Sequence, residues 1–318
     1  MDVKKQIADI GIVPVIAIDS ADDAVDLAKA LVEGGIPAME ITFRTQAGQE
    51  SIRRVANECP EVLVGAGTVL TVAQVDEAVN AGAKFIVSPG YYDAVVDRCN
   101  EIGIPCFPGC VNASDMTKAV NAGLDIVKFF PAEALGGPAM IKQFTSVFPL
   151  KFMPTGGITQ KTLMDYLANE RIAACGGTWM VKKDMINNHE WEKITSICKE
   201  SVKIMLGLSL AHVGINCENA AEAEKTARTL CALFGFEYKA GNSSDFAGSA
   251  VECMKAPYLG KNGHIAIGTN SIDRAMYHLG TKGVEFDEST RKTDAKGNTK
   301  AIYLKGEFGG FAIHLMQR

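Results

Sequence analysis

Residues 63–89 read LVGAGTVLTVAQVDEAVNAGAKFIVSP, and this stretch decides the fold class. An apolar run, Leu63–Val69, is followed by Val72–Ala81, in which apolar residues recur at helical spacing. A second apolar run, Phe85–Pro89, ends in serine and proline, which are turn residues. Strand, helix and strand in this order predict a βαβ unit with parallel strands.

The same unit recurs through the first two-thirds of the chain, with helical patterns such as Asp22–Glu33 and Gln160–Ala168 between the apolar runs. The eight predicted strands are Val13–Ile18, Ala38–Phe43, Leu63–Val69, Phe85–Pro89, Cys106–Pro108, Ile126–Phe130, Phe152–Thr155 and Ala173–Thr178. Eight such units in about 200 residues favour a closed (β/α)8 TIM barrel. The alternative is an open doubly wound sheet, but its usual glycine-rich fingerprint is missing after the first strand, where Ala17-Ile18-Asp19-Ser20 stands.

From Leu206 the regular alternation stops and longer strands appear. The predicted elements are strands at Leu210–Asn216 and His264–Thr269 and helices at Ala220–Phe234 and Ile272–Lys282. Residues 211–215 resemble residues 263–267, which predicts an internal repeat with a period near 52 residues, the spacing of His212 and His264. We therefore predict a barrel domain over residues 1–205 and a smaller α+β domain over residues 206–318.

Composition excludes several classes of protein. The chain has 318 residues, of which 47% are hydrophobic, so it can bury a large core. Its net charge of −5 lacks the basic footprint of a nucleic-acid binder or of a protein that binds anionic membranes. The nine cysteines form no CxxC motif, and neither a signal peptide nor an apolar run of about 18 residues is present. We predict reduced thiols, a cytoplasmic location and no nucleic-acid or membrane partner.

Lys128 is the clearest candidate for a functional residue, because it interrupts the apolar run Ile126–Phe130. A lysine is almost never buried without a partner. A neutral amine inside a barrel can add to a ketone and form an iminium, which is one interpretation. The other is a structural lysine that pairs with a carboxylate.

Glu40 and Arg44 come from the second predicted strand and the turn after it. A carboxylic acid in an apolar strand can move protons at a reaction centre, or it can be the salt-bridge partner of Lys128 or Arg44. The planar guanidinium of Arg44 matches a carboxylate with two hydrogen bonds.

Two glycine pairs, Gly156-Gly157 and Gly176-Gly177, stand at the C-terminal ends of the seventh and eighth predicted strands. Barrels often bind phosphate at these positions through backbone N–H groups. Glycine pairs also serve as ordinary turns, so on their own they leave both interpretations open.

Five stretches together resemble one family, the class I 2-keto-3-deoxy-6-phosphogluconate (KDPG) and 2-keto-4-hydroxyglutarate (KHG) aldolases, which are TIM barrels. The resemblance runs from about residue 10 to residue 202. It rests on Met39–Thr45 (MEITFRT), Val64–Leu70 (VGAGTVL), Val87–Gly90 (VSPG), Val127–Glu133 (VKFFPAE) and Met153–Ile158 (MPTGGI).

The resemblance implies a role for each matching residue. Lys128 corresponds to the Schiff-base lysine, Glu40 to the acid/base glutamate and Arg44 to the arginine that contacts the pyruvate carboxylate. Phe130 corresponds to an aromatic residue beside the pocket. The pyruvate pocket and the phosphate-binding loops correspond to Thr68, Pro89, Thr155, Gly156, Gly157, Gly176, Gly177 and Thr178.

The chain departs from the family pattern at the distal end of the substrate. Many members carry a basic residue after the first strand, where Asp19 and Ser20 stand here. The loop after the fifth strand reads Pro108–Ser114 (PGCVNAS) instead of the family's PG-x-x-T-P, and Thr178 replaces a common serine. These differences leave the carbon–carbon chemistry unchanged but affect the choice of aldehyde.

The implied activity is a Schiff-base lyase that needs no cofactor. It cleaves KDPG to pyruvate and glyceraldehyde 3-phosphate, 4-hydroxy-2-ketoglutarate to pyruvate and glyoxylate, or both, as in the Entner–Doudoroff branch of carbohydrate metabolism. A metal-dependent aldolase is disfavoured because no histidine occurs before His189. The resemblance further implies a small keto-acid ligand and a homo-oligomer, a trimer.

The segment from Leu208 to the end resembles the vicinal-oxygen-chelate (glyoxalase/bleomycin-resistance) family, which consists of paired βαβββ modules. The likeness rests on 212–216 (HVGIN), 264–267 (HIAI) and 310–315 (GFAIHL). It implies metal ligands at His212, Glu252, His264 and His314, the last usually a glutamate. Three imidazoles and a carboxylate suit zinc or nickel.

Two alternatives remain for that segment. It is a packing or accessory module, or it makes the chain bifunctional as a metal-dependent isomerase or lyase behind the aldolase. His189 and His278 are predicted to be ordinary surface residues.

Overall fold

A computed structural model describes residues 2–318. Internal contacts divide the chain into two units, the first ending at Met205 and the second running from Leu206 to Arg318. Each unit has its own sheet system and its own core.

The first unit contains eight short strands, each shorter than or shifted from its predicted range. They are β1 (Ile12–Ile16), β2 (Ala38–Thr42), β3 (Leu63–Gly67), β4 (Ile86–Val87), β5 (Cys106–Phe107), β6 (Ile126–Phe129), β7 (Lys151–Pro154) and β8 (Cys175–Gly177). Its helices are α1 (Val3–Ile10), α2 (Ala24–Glu33), α3 (Gly48–Glu58), α4 (Val72–Asn80), α5 (Asp93–Ile102), α6 (Ala113–Asn121), α7 (Gly137–Thr145), α8 (Leu163–Leu167), α9 (Lys183–Asn187) and α10 (Trp191–Leu206).

The strands form a closed (β/α)8 barrel. Six strands pair in the order β5-β4-β3-β2-β1-β8, and β6 pairs with β7. The two sheets meet at parallel bridges, Gly109 to Lys128 on one side and Thr155 to Gly176 on the other. An open doubly wound sheet is therefore excluded.

The barrel strands are buried on both faces, as expected when helices cover a parallel sheet. Phe129 meets Phe152 edge-on with ring centroids 6.5 Å apart, and Phe85 lies 5.9 Å from Phe107. Gly65 makes room for Phe85, because a Cβ at residue 65 would lie 2.4 Å from that ring. These aromatic contacts contribute to the close-packed core of the first unit.

Helix α1 is an element that the sequence analysis did not predict. The Asp2 carboxylate caps its N-terminus by accepting from the Lys4 N–H, and Gly11 ends it in a left-handed conformation with φ 76°. Ile7 and Ile10 are buried, three residues apart on one face. The helix has eight residues and buries two of them, so its hydrophobic periodicity in the sequence is weak.

The second unit is an eight-stranded sheet with two helices. Its strands are β9 (Ser209–Asn216), β10 (Tyr238–Ala240), β11 (Ser244–Ala247), β12 (Val251–Met254), β13 (Gly263–Thr269), β14 (Phe286–Thr293), β15 (Thr299–Leu304) and β16 (Phe311–Gln317), and its helices are α11 (Ala220–Phe234) and α12 (Ile272–Gly280). The strand order is β10-β11-β12-β9-β13-β16-β15-β14.

This order is that of two similar halves joined at the centre. Each half runs strand, helix and three strands, and each first strand pairs in parallel with its half's last strand. The first strands, β9 and β13, pair with each other antiparallel. Equivalent residues of the two halves therefore lie beside the central β9–β13 pair, which is where a shared site can form.

Among residues 2–318, no helix combines the length and the hydropathy that crossing a bilayer requires.

Candidate active site

Lys128 and Glu40 meet inside the barrel. Lys128 lies on β6 with 6% of its surface exposed, and Glu40 lies on β2 and is fully buried. The Lys128 Nζ donates to Glu40 Oε1 over 3.0 Å. This contact satisfies two buried charges, which would be costly apart. It is the contact that both the catalytic and the structural interpretation of Lys128 predict.

The surroundings of Glu40 leave one oxygen free for chemistry. Its Oε2 is buried and has no hydrogen-bond partner among residues 2–318. Gly67 makes the position possible, because a Cβ there would lie 2.4 Å from Glu40 Oε1. An unpaired carboxylate oxygen beside a lysine amine is placed to accept a proton from a substrate or a water.

Thr155 presents a second unpaired polar atom. It follows β7 and is buried, and its Oγ1 has no partner among residues 2–318. Gly176 on β8 leaves room for that hydroxyl, since a Cβ at residue 176 would lie 2.3 Å from it. A buried hydroxyl without a partner is expected to find one in a bound ligand.

Arg44 stands just beyond β2 and is exposed. Its Nε donates to Thr42 Oγ1 over 3.1 Å, and Thr42 in turn donates to the Ile16 carbonyl over 2.8 Å. No carboxylate among residues 2–318 forms a salt bridge with Arg44, so its guanidinium can bind a ligand carboxylate.

Thr68 and Pro89 follow the ends of β3 and β4, at the same end of the barrel as Arg44. Thr68 has φ 57°, in the left-handed region that residues other than glycine seldom adopt. Such backbone conformations cluster at functional sites because the surrounding structure must hold them.

Phe130 lies beside the amine, with the Lys128 Nζ 5.7 Å from its ring centre. It is 39% exposed, so its ring faces the mouth of the site rather than the core. Gly156 packs against it, because a Cβ at residue 156 would lie 3.2 Å from the ring.

The first glycine pair forms a turn after β7. Gly156 and Gly157 have φ 100° and φ 84°, a conformation that glycine adopts without strain. Neither N–H donates to a backbone carbonyl among residues 2–318. Beside them the Tyr166 hydroxyl donates to Glu133 Oε1 over 2.5 Å. Burial and that hydrogen bond raise the pKa of Tyr166 well above its ordinary value, so the phenol stays a donor.

The second glycine pair, on β8, is buried and extended. A Cβ at Gly177 would lie 1.9 Å from the Trp179 ring, and Thr178 between them is exposed. The Trp179 Nε1 donates to Ser201 Oγ over 3.1 Å, which fixes the ring against this strand end. The first glycine pair thus follows β7, whereas the second forms the C-terminal end of the adjacent strand β8.

The second unit brings together its four predicted ligands. One nitrogen of each of His212, His264 and His314 lies within 4.8 Å of the other two. Glu252 joins them, with its Oε2 3.1 Å from the Nε2 of both His212 and His264. His264 and His314 are buried, and His264 Nδ1 has no hydrogen-bond partner among residues 2–318.

The protonation states suit metal binding. Burial would raise the pKa of Glu252, but hydrogen bonds from His212, His264 and Ser244 outweigh it and hold that pKa well below its ordinary value. Burial and the nearby His264 lower the pKa of His314 to about 4. A carboxylate and a neutral imidazole are the ligand forms that metals require.

Gly214 is a residue of this cluster that sequence analysis missed. It lies on β9 opposite His264 on β13 and Glu252 on β12. A Cβ at residue 214 would lie 2.1 Å from the His264 ring. The stretch 212–216 contains this glycine, but the sequence assigns it no role, because that role depends on the register of three strands.

The remaining two histidines differ from each other. His189 is exposed, pairs with Asp23 and stacks on Trp191. His278 is buried on α12, so its predicted surface location is wrong. It occupies the buried face of an amphipathic helix with Ile272 and Ala275, three residues apart.

Comparisons with known proteins concern the first unit. Residues 3–197 match the family described as KDPG and KHG aldolase. The chain is 43% identical over 195 residues to the 2-dehydro-3-deoxy-phosphogluconate aldolase of Treponema pallidum, covering 61% of this chain and 93% of that protein. It is 39% identical over 193 residues to the KHG/KDPG aldolase of Escherichia coli K12, covering 60% and 91%.

Two solved structures resemble the same region. KDPG aldolase from Legionella pneumophila, with pyruvate captured as a covalent carbinolamine intermediate, has a TM-score of 0.61 at 38% identity and covers 63% of this chain and 97% of its own. The aldolase of Zymomonas mobilis with 3-phosphoglycerate has a TM-score of 0.58 at 38% identity, covering 62% and 94%.

Proposed function

The chain belongs to the KDPG and KHG aldolase family and is a carbon–carbon lyase, and on that premise we propose that Lys128 is its Schiff-base nucleophile. The observation that carries the proposal is the buried contact of 3.0 Å between Lys128 Nζ and Glu40 Oε1, beside two buried polar atoms that lack partners. A purely structural ion pair gives no reason for the free Glu40 Oε2 or the free Thr155 Oγ1.

The reaction follows from these groups. Lys128 adds to the C2 ketone, and Glu40 moves protons as the carbinolamine loses water and becomes an iminium. Glu40 then takes the C4 hydroxyl proton, the C3–C4 bond breaks, and the iminium accepts the electron pair. An aldehyde leaves, and protonation of the enamine followed by hydrolysis releases pyruvate from Lys128.

The substrate is held at both ends. We propose that Arg44 binds the carboxylate next to the ketone, with Thr68, Pro89, Thr155 and Phe130 around the pyruvate part. The free N–H groups of Gly156 and Gly157, with Gly176, Gly177 and Thr178, suit a phosphate at the distal end. KDPG is therefore the proposed substrate, and 4-hydroxy-2-ketoglutarate, which carries no phosphate, is the second.

An activity panel tests this proposal. Pyruvate release from each keto acid is followed by a coupled dehydrogenase assay, with the exposed Lys142→Met variant as a control for Lys128→Met. We expect activity in the wild type and in Lys142→Met and none in Lys128→Met. Release of pyruvate by Lys128→Met at the wild-type rate would refute the assignment.

For the second unit we propose the binding of one divalent metal, zinc or nickel, at the side-chain cluster of His212, Glu252, His264 and His314. The convergence of three imidazoles and a carboxylate, one of them with an unpaired buried nitrogen, supports it. Such a metal supplies a Lewis acid that polarises an oxygen of a bound molecule. The chain would then be bifunctional, with an isomerase or lyase of the vicinal-oxygen-chelate type behind the aldolase.

Metal analysis of the purified full-length chain tests the second proposal. We expect about one equivalent of zinc or nickel per chain after exposure to the metal and gel filtration. If the chain retains no metal, the proposal fails and the four side chains serve only in packing.

The oligomeric state and the cellular location of the protein stay predictions. We propose a homotrimer and a cytoplasmic location, and sedimentation equilibrium of the full-length chain checks the first.

A further inference from the structure

Glu133 contacts both the turn after β7 and helix α8, and no step of the proposed reaction uses it. The Glu133 N–H donates to the Gly156 carbonyl oxygen over 3.1 Å, and the Ala132 N–H donates to the Thr155 carbonyl oxygen over 2.8 Å. These two hydrogen bonds join the segment after β6 to the turn after β7. They reach Gly156 but not Gly157, the second glycine of that turn.

Gly157 packs against the side chain of Glu133 instead. A Cβ at Gly157 would lie 2.5 Å from Glu133 Cγ and 2.6 Å from Glu133 Cβ, so the Gly157 backbone lies directly against the aliphatic part of that side chain. Glycine has the widest choice of backbone conformations, and Gly157 has φ 84°. A side chain that fills the adjacent space therefore restricts the directions in which the Gly157 N–H points.

Tyr166 in turn fixes the carboxylate of Glu133. Its hydroxyl donates to Glu133 Oε1 over 2.5 Å, and its side chain on α8 is fully buried. The atoms of Glu133 nearest to a Cβ at Gly157 are all carbons, whereas Glu133 Oε1 lies 3.8 Å from a Cβ at Gly137, the first residue of α7. Oε1 is thus turned toward α7 and α8, while the methylene groups face the glycine turn.

The direction of this carboxylate matters for a bound phosphate. Glu133 is exposed, so without the Tyr166 hydroxyl its charge is free to turn toward the N–H groups of Gly156 and Gly157. A negative charge near a phosphate opposes its binding. The hydroxyl of Tyr166 therefore has two effects: it keeps the methylene groups of Glu133 against Gly157, and it keeps the carboxylate away from the free N–H groups.

We propose that Glu133, held by the Tyr166 hydroxyl, is a positioning residue that keeps the Gly156-Gly157 turn in the conformation that binds a phosphate, and so favours the phosphorylated keto acid. The inference rests on the phosphate-binding function proposed above for this turn. The pair makes no contact with Lys128 or Glu40, so it acts on substrate binding and leaves the chemical step unchanged. An interaction of this kind changes KM and not kcat.

The test is the steady-state kinetics of full-length variants on both keto acids. Tyr166→Phe removes the hydroxyl, and Glu133→Ala removes its acceptor together with the Cγ that lies against Gly157. We expect each variant to raise the KM for KDPG by about tenfold, and to keep its kcat and the KM for 4-hydroxy-2-ketoglutarate within about threefold of wild type.

Two further variants separate this role from a structural one. Glu133→Gln keeps the methylene groups and an acceptor oxygen, so both of its KM values should stay within about threefold of wild type. Tyr91→Phe is the matched control, because the Tyr91 hydroxyl donates to the Lys118 carbonyl oxygen, 3.3 Å away, and not to Glu133. Thermal denaturation confirms that each variant is folded, and Tyr166→Phe decides the test where Glu133→Ala does not fold.

A second readout is the competitive inhibition of KDPG cleavage by inorganic phosphate. The inhibition constant should rise by about tenfold in Tyr166→Phe and stay at the wild-type value in Glu133→Gln. If phosphate inhibits the wild type but Tyr166→Phe changes neither KM, or raises both equally, the pair is structural and the inference fails although the phosphate site stands. If phosphate does not inhibit the wild type, the phosphate-binding function of the turn fails as well.

Discussion

At the scale of single residues, the barrel site depends on a charge pair in an apolar interior. Lys128 and Glu40 interrupt apolar strands, and the sequence identifies them for that reason. The sequence pattern does not show that Lys128 Nζ lies 3.0 Å from Glu40 Oε1 or that Glu40 Oε2 has no hydrogen-bond partner among residues 2–318; the structure shows both. Among residues 2–318 each forms its salt bridge with the other alone, so both residues are sensitive to substitution.

Glu40→Gln should lower kcat by about 10²–10⁴-fold, because an amide cannot take up the proton. Pyruvate should still form an adduct with Lys128 when borohydride is added. Steady-state kinetics of Glu40→Gln beside the surface variant Glu50→Gln measures the effect. Activity within a few fold of wild type would make Glu40 a structural residue.

Gly67→Ala should lower kcat by about 10²-fold, since the new methyl group would displace the Glu40 carboxylate from its position. Gly280→Ala is the matched control, because nothing lies within 4 Å of a Cβ there. Equal kinetics for the two variants would show that Glu40 tolerates the shift.

Gly214 in the second unit resembles Gly67, because a neighbouring side chain occupies the space that its Cβ would need. The histidines can be picked out because they are rare, with five in the chain. Gly67 and Gly214 both lie in quoted motifs, but the sequence gives them no role, because what makes each necessary is a side chain on a neighbouring strand.

At the scale of elements, the sequence identified every barrel strand but placed their ends less well. The predicted Phe85–Pro89 shrinks to Ile86–Val87, and Ala173–Thr178 to Cys175–Gly177. Ser88 and Thr178, at the C-terminal ends of those predicted ranges, lie outside the strands, although Ser88 still exchanges backbone hydrogen bonds with Phe107 and Gly109. By contrast, α11 coincides with its predicted range, Ala220–Phe234, because Asn219 caps it and Gly235 ends it.

Gly157→Leu should lower KDPG cleavage more than 4-hydroxy-2-ketoglutarate cleavage, because a side chain there disturbs the N–H groups proposed for the phosphate. Its Cβ would lie 2.5 Å from Glu133 Cγ. Gly103→Leu controls for backbone strain, since Gly103 also has a positive φ, 71°, but open space around it. If Gly157→Leu lowers cleavage of both substrates equally, the Gly156-Gly157 turn has a structural role and does not bind the phosphate.

At the scale of the whole molecule, the chain joins two units with separate chemistries. The residues proposed for carbon–carbon cleavage all precede Met205, and the proposed metal-binding cluster lies after Leu206. The repeat between residues 211–215 and 263–267 predicts two related halves in the second unit, and both halves there run strand, helix and three strands.

Treatment of the full-length chain with a strong chelator should leave pyruvate release unchanged within about twofold, because the iminium already serves as the electron sink. Metal analysis of the same sample confirms removal. Loss of aldolase activity that added zinc or nickel restores would contradict the proposed mechanism.

The measurement that tests the central claim most directly is borohydride reduction of the chain in the presence of pyruvate, followed by peptide mass spectrometry. The proposed Schiff base predicts a reduced pyruvyl adduct on the peptide that contains Lys128 and none in Lys128→Met. An adduct on another lysine, or no adduct from an active enzyme, would contradict it.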